Sequence, residues 1–213
     1  MKRGLAAIAL AVTAHAASAQ TTIRFGDLAP GALPASWQTG VTGKGAANWQ
    51  VTNDTAQSRS RVLKQSGDAT FCWAVKSDVK LSDGFVETKF KPVDGKEDQA
   101  GGIVFRFQDG KNYYVVRANA LEDNVVLYKT VDGKRSSLPV KGRLYGYGVD
   151  VKVPTDKWGT LRVDFEGSRF LVAFNGKRLF EVEDDTFRES GAVGLWTKAD
   201  SVTVFDKIEY GGK

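Results

Sequence analysis

Runs of five to nine residues in which apolar and polar side chains alternate, each broken after about ten residues by a turn dipeptide, constrain this chain more than any other feature. The dipeptides are Asp83-Gly84, Asp94-Gly95, Asp109-Gly110, Asp132-Gly133, Glu166-Gly167 and Asn175-Gly176. A period of two places every second side chain on the same face of a strand. An Asp-Gly or Asn-Gly pair between two such runs tolerates the left-handed backbone of a tight hairpin. Apolar residues at helical spacing are almost absent, so the pattern predicts an all-β fold of antiparallel strands.

Fourteen strands are predicted: Thr22 to Phe25, Asn48 to Thr52, Val62 to Gln65, Thr70 to Lys76, Phe85 to Lys91, Gly102 to Gln108, Tyr113 to Asn119, Val125 to Val131, Gly148 to Val153, Gly159 to Glu166, Arg169 to Asn175, Arg178 to Glu183, Gly191 to Thr197 and Val202 to Glu209. That number is too large for one open sheet, and two packed antiparallel sheets around a shared core follow. No linker interrupts the pattern, and no 20 to 50 residue repeat suggests a propeller or solenoid.

The amino terminus has a different character. Met1-Lys2-Arg3 precedes the apolar run Leu5 to Val12, and Ala17-Ser18-Ala19 supplies small residues for cleavage. This is the pattern of a secretory signal peptide, too short for a transmembrane helix. The expected organisation is a signal peptide over 1–19 and a single domain over 20–213, exported to the periplasm or the exterior.

Removal of residues 1–19 leaves 194 residues and lowers the net charge from +5 to +3, without a basic run that would suit nucleic acid. It also removes His15, the only histidine. A Ser-His-Asp triad, a Cys-His pair and a histidine-ligated metal are thereby excluded. The single Cys72, inside Thr70-Phe71-Cys72-Trp73-Ala74-Val75, reads as a buried, inert thiol. The glycine-rich segment Gly40-Val41-Thr42-Gly43-Lys44-Gly45 lacks Walker and dinucleotide spacing, which argues against a nucleotide site.

Alternation also assigns faces. Ile103, Phe105 and Phe107 point inward, as do Tyr114, Val116, Ala118, Val125 and Leu127. Arg106, Tyr113, Arg117, Asn119, Asn124 and Tyr128 then share the opposite face. Rings beside planar hydrogen-bonding groups suit sugars, whose apolar faces stack while their hydroxyls take paired bonds.

Two stretches carry a family resemblance: Gly95-Lys96-Glu97-Asp98-Gln99-Ala100-Gly101-Gly102, and Asn112-Tyr113-Tyr114-Val115-Val116-Arg117-Ala118-Asn119-Ala120-Leu121-Glu122-Asp123-Asn124. With Asp184-Asp185-Thr186-Phe187 and Gly194-Leu195-Trp196-Thr197-Lys198-Ala199-Asp200-Ser201-Val202, they resemble the secreted bacterial 3-keto-disaccharide hydrolase domain family over about Trp37 to Tyr210. The resemblance implies a concanavalin A-like jelly roll, and hydrolase- or lyase-like action on glycosides oxidised at carbon 3, by elimination and hydration or net hydrolysis. A non-catalytic glycan-binding module and an envelope protein-interaction module are the alternatives. Trp196, Lys198 and Asp200 join the candidate substrate-binding residues.

Chemistry on a 3-keto sugar requires a base, an acid and a group that steadies an enolate. Without histidine, Glu87 and Glu122 are the candidate catalytic carboxylates, with Arg117 or Lys198 opposing negative charge. Glu87 is expected on the outward face of its strand because Val86, Thr88 and Phe90 face the core. The laminarinase pattern of paired acids finds only Glu181-Val182-Glu183-Asp184-Asp185, in the wrong order. No cofactor is expected. A structural calcium ion is the one metal considered, with Asp94, Glu97 and Asp98 as its loop.

Overall fold

The computed structural model describes residues 20–54, 60–143 and 146–213, so the expected signal peptide lies outside the described residues. Sixteen strands follow in order. The first eight are β1 (Thr21–Arg24), β2 (Trp37–Gly45), β3 (Trp49–Asn53), β4 (Arg61–Gln65), β5 (Ala69–Leu81), β6 (Gly84–Asp94), β7 (Ala100–Asp109) and β8 (Asn112–Asn119). The rest are β9 (Asn124–Val131), β10 (Lys134–Ser137), β11 (Val149–Asp150), β12 (Gly159–Glu166), β13 (Arg169–Phe174), β14 (Lys177–Glu183), β15 (Gly191–Ala199) and β16 (Val202–Gly212). Among the described residues there is no α-helix, and hence none long and apolar enough to cross a membrane.

The strands form two antiparallel sheets of eight. One runs β14-β13-β12-β6-β16-β4-β3, with β1 added on β16, and the other β10-β9-β8-β7-β15-β5-β2, with β11 added on β9. Neighbours far apart in sequence, such as β6 beside β16 and β7 beside β15, tie the chain ends into the middle of each sheet. The product is a jelly-roll sandwich.

Between the sheets lies the main core. Val86, Phe90, Leu161, Val163, Phe165, Phe170, Val172 and Ile208 of the first sheet meet Ile103, Phe105, Tyr114, Val116, Ala118, Val125 and Leu127 of the second. The inward assignments made from alternation hold for all of the latter. Cys72 is fully buried in this core, and burial raises its thiol pKa to about 11, which keeps it protonated and inert.

A second apolar cluster covers the other face of the β10-to-β2 sheet. It comprises Val75, Ala100, Val104, Phe107, Tyr113, Val115, Val126, Tyr128, Ala192 and Trp196, all buried, with Phe71 and Trp73 packed against them. Phe107 belongs to this cluster, not to the inner core. The cause is a bulge. Gly194 pairs with Val104 and Ala192 with Phe107, so β7 spends three steps where β15 spends two. One extra residue inverts every later side chain.

Arg106 occupies the bulge at φ 44. Its side chain turns toward Phe165 and Phe170 of the main core, at 5.7 and 5.4 Å from their ring centres. There it donates to the carbonyls of Ser82, Phe187 and Gly167 at 2.7 to 2.8 Å, and to Asp83 at 3.3 Å. Gly191 permits the bulge, because a Cβ there would stand 2.3 Å from the Arg106 carbonyl carbon. The expectation that Arg106 shares a face with Tyr113 and Arg117 is therefore corrected: Arg106 clamps one end of the sandwich.

β2 and β10 are absent from the sequence-based set. Glycines interrupt alternation in β2, where Gly40 faces Trp73, and a Cβ at Gly40 would lie 2.3 Å from the indole Cζ2. The glycine-rich segment is thus an edge strand shaped around an aromatic side chain.

Candidate functional site

At the end of β7 opposite Arg106, where Ala100 pairs with Asn119, the hairpin joining β8 to β9 carries Glu122. Asp123 anchors this turn. Its Oδ1 accepts the Val153 amide at 3.0 Å, and its Oδ2 accepts Lys152 Nζ at 2.7 Å. Asn119 closes the turn locally, its Oδ1 accepting the Leu121 amide at 2.9 Å.

Glu122 is held from three sides. Arg117 Nη2 donates to Oε2 at 2.8 Å, Asn124 Nδ2 to Oε2 at 3.0 Å, and Asn119 Nδ2 to Oε1 at 3.0 Å. Arg117 Nη1 also donates to Asn124 Oδ1 at 2.9 Å, and Nη2 to the Tyr147 hydroxyl at 3.1 Å. Arg117 is 1% exposed, whereas the Glu122 side chain keeps 38% of its surface open. The ion pair therefore presents its carboxylate outward and hides its guanidinium.

A second acid stands behind the first. Asp98 is buried, with Oδ1 accepting Asn119 Nδ2 at 2.6 Å and Oδ2 paired with Lys198. One amide thus bridges Asp98 and Glu122. The Asp98 loop is shaped by Asp200, whose carboxylate accepts the backbone amides of Lys96, Glu97 and Asp98 at 2.6 to 3.1 Å. Asp200 holds the loop, and all of these contacts are internal.

Burial alone would raise the pKa of Glu122, but the hydrogen bond and charge of Arg117, with Asn124 and Lys198, outweigh it and hold the carboxyl below its ordinary value of 4.5. Because the folded pKa is depressed, any stabilisation from this ionised form is present above the unfolded pKa and fades as pH falls through the folded one. Ligand affinity is accordingly expected to be level from pH 7 to about 5 and to fall only below about 4.5, as read by calorimetric titration across that range. A loss already complete near pH 6 would assign the dependence to another group.

Rings contribute less open surface than the alternation suggested. Tyr113, Tyr128 and Trp196 are buried, and form a floor instead of an exposed stacking face. Tyr113 bonds Thr42 through its hydroxyl at 2.9 Å, and Trp196 stacks on Phe71 at 5.4 Å. The exposed ring is Tyr147, 45% open, packed edge-on to Tyr128 at 5.8 Å and bonded to its hydroxyl. From Lys198 an open groove of about 390 Å³ continues past Lys44, Asp68, Thr70 and Glu97.

Glu87 does not join this site. The alternation around it is as expected, but β6 belongs to the other sheet, and Glu87 faces outward there between Arg162 and Glu209. Glu181, on β14 of that same sheet, is pulled down to about 2 by hydrogen bonds from Arg169 and Lys141. The proposed calcium loop does not converge either, because Asp98 is consumed by Asn119 and Lys198 while Asp94 accepts the Gly95 amide. Among the described residues, no three acidic, histidine or cysteine side chains form a metal-ligand set.

Arg117, Asn119, Glu122, Asn124 and Lys198 are thus brought together as expected, and Arg106 and Glu87 are not. Sequence reasoning missed Tyr147, which follows a loop without periodicity. It also missed Arg135 of β10, although the Asp132-Gly133 turn signal implies a returning strand there.

The fold and sequence were compared with known proteins. The carbohydrate-binding module CBM66 from Bacillus subtilis superposes with a TM-score of 0.64 at 22% identity, covering 81% of this chain and 94% of its own. A non-specific endo-β-1,3(4)-glucanase of family GH16 gives 0.59 at 13%, covering 90% and 89%. The Bacillus licheniformis β-glucanase gives 0.57 at 11%, covering 91% and 97%. These likenesses establish the concanavalin A-like jelly roll. Comparison with curated proteins gives no match. A family profile, however, spans residues 25–210, and by that match the chain belongs to the 3-keto-alpha-glucoside-1,2-lyase-like domain family.

Proposed function

We propose that this chain is an exported carbohydrate-binding domain that takes a sugar unit at the Arg117, Asn119, Glu122 and Lys198 network. One observation carries the reading: Glu122 is fixed by three donors yet remains open to solvent beside the exposed Tyr147 ring. A preorganised carboxylate accepts a pair of sugar hydroxyls without reordering, and an adjacent ring face covers the apolar side of the pyranose. Membership of the lyase-like family and the carbohydrate-binding and glucanase neighbours support a sugar as the ligand.

Cleavage of 3-keto-glycosides is the second reading, favoured by the family and by the position of the Tyr147 hydroxyl beside Arg117. In this reaction a base removes the carbon-2 proton made acidic by the ketone. The electron pair forms the carbon-1 to carbon-2 double bond, the carbon-1 to oxygen bond breaks, and the departing oxygen takes a proton. Water then adds to the enone. Arg117 and Lys198 oppose the enolate charge, and Glu122 or Tyr147 handles the proton.

The test pairs 3-keto-glycosides with their unoxidised parents, following binding by calorimetry and product by enone absorbance. Saturable sugar binding that Glu122→Gln weakens at least tenfold is expected. Failure of every sugar to bind, or full affinity in Glu122→Gln, overturns the binding site. Enone formation that Glu122→Gln and Tyr147→Phe each slow establishes the second reading, and binding without product removes it.

A further inference from the structure

We infer that Arg135 recognises an anionic group on the glycan, a uronate carboxylate or a sulfate ester. The inference rests on carbohydrate binding at the neighbouring network and adds the class of sugar. Arg135 lies on β10 opposite Thr130. Its guanidinium carbon sits 4.2 Å from the ring centre of Tyr128, 4.6 Å from Phe71 and 5.5 Å from Trp196. Ring faces attract a cation but leave its charge intact.

No acidic side chain neutralises that charge. Every Asp and Glu of the chain is among the described residues, and none forms an ion pair with Arg135. Two neighbouring cations of the sugar network are matched, Arg117 by Glu122 and Lys198 by Asp98. The guanidinium also makes no hydrogen bond among the described residues, and its Nη1 is buried without an acceptor. A guanidinium held by rings and carrying an uncompensated charge is the arrangement that a carboxylate or sulfate oxygen completes by a charge-assisted bond to a donor other than the buried Nη1. Arg117 lies 5.7 Å from the same Tyr128 ring, so this guanidinium borders the sugar network.

The experiment uses the full chain and matched ligand pairs: glucuronide against glucoside, and a sulfated against an unsulfated oligosaccharide. At low salt at least one anionic member is expected to bind about tenfold more tightly than its neutral partner, an advantage that shrinks in 0.5 M salt. Arg135→Met keeps apolar packing on the rings and removes the guanidinium. It should weaken the anionic member far more than the neutral one and bring their ratio toward one. If Arg135→Met melts below the assay temperature, Arg135→Lys is measured, with at least a threefold loss of the preference expected. Equal affinity of the wild type for both members, or equal losses for both in the variant, overturns the role of Arg135 alone. Failure of all four ligands to bind overturns the carbohydrate reading together with it.

Discussion

Arg106→Ala is expected to destabilise the fold by about 3 kcal/mol, because the variant abandons three carbonyls, that of Phe187 buried, and opens a void beside Phe165 and Phe170. The Phe187 carbonyl is buried and is left without a donor, whereas those of Ser82 and Gly167 belong to exposed residues and regain water. Asp83 adds little to the figure, since its side chain is 37% exposed and readily solvated. A domain of this size should lose roughly 10 °C in its melting midpoint. Sugar affinity of the protein that remains folded should stay within about threefold, because Arg106 and Glu122 stand at opposite ends of the β7–β8 pair. Thermal denaturation and calorimetry measure both quantities, and a midpoint within about 2 °C of the parent would refute the clamp.

Arg117→Met is expected to reduce sugar affinity by about 100-fold, which corresponds to the roughly 2–3 kcal/mol carried by charge-assisted hydrogen bonds. Without the guanidinium, Glu122 loses its strongest anchor, Asn124 loses its donor, and the carboxyl pKa returns toward its ordinary value. Stability should fall by a smaller amount, about 1–2 kcal/mol, because the half-open Glu122 carboxylate regains water in the variant. The two readouts therefore separate: affinity collapses while the fold survives. Full affinity in a folded Arg117→Met protein would make the network a structural device only.

These expectations draw unequally on what the residues announce. The inward face of β8, of β9 and of β7 up to its bulge was legible because period-two alternation and hairpin dipeptides are local properties of the chain. The approach of Glu122, Asn119 and Arg117 was legible for the same reason, as all three belong to one hairpin. Lys198 was reached through the family motif, and its partner Asp98, grouped in the sequence with Asp94 and Glu97, meets Asn119 and Lys198 instead. The carboxylate lies against an amide and an ammonium that are distant in sequence.

Alternation and turn chemistry, acting over neighbouring residues, determined by themselves that the chain builds antiparallel strands and which side chains of β8 and β9 fill the core, and composition alone that residues 20–213 contain no histidine. Tertiary structure alone decided the rest. The sheet to which a strand belongs depends on pairings across the whole chain, which is why Glu87 alternates as expected yet faces outward on the other sheet. The bulge at Arg106 depends on the close approach of Gly191, a contact made 85 residues away, and one inserted residue there inverted the faces of Arg106 and Phe107. Exposure of a ring depends on what packs above it. Phe71 and Arg135 cover Trp196, leaving Tyr147 as the open ring of the site, because burial is set by the sum of neighbours and not by the period of one strand.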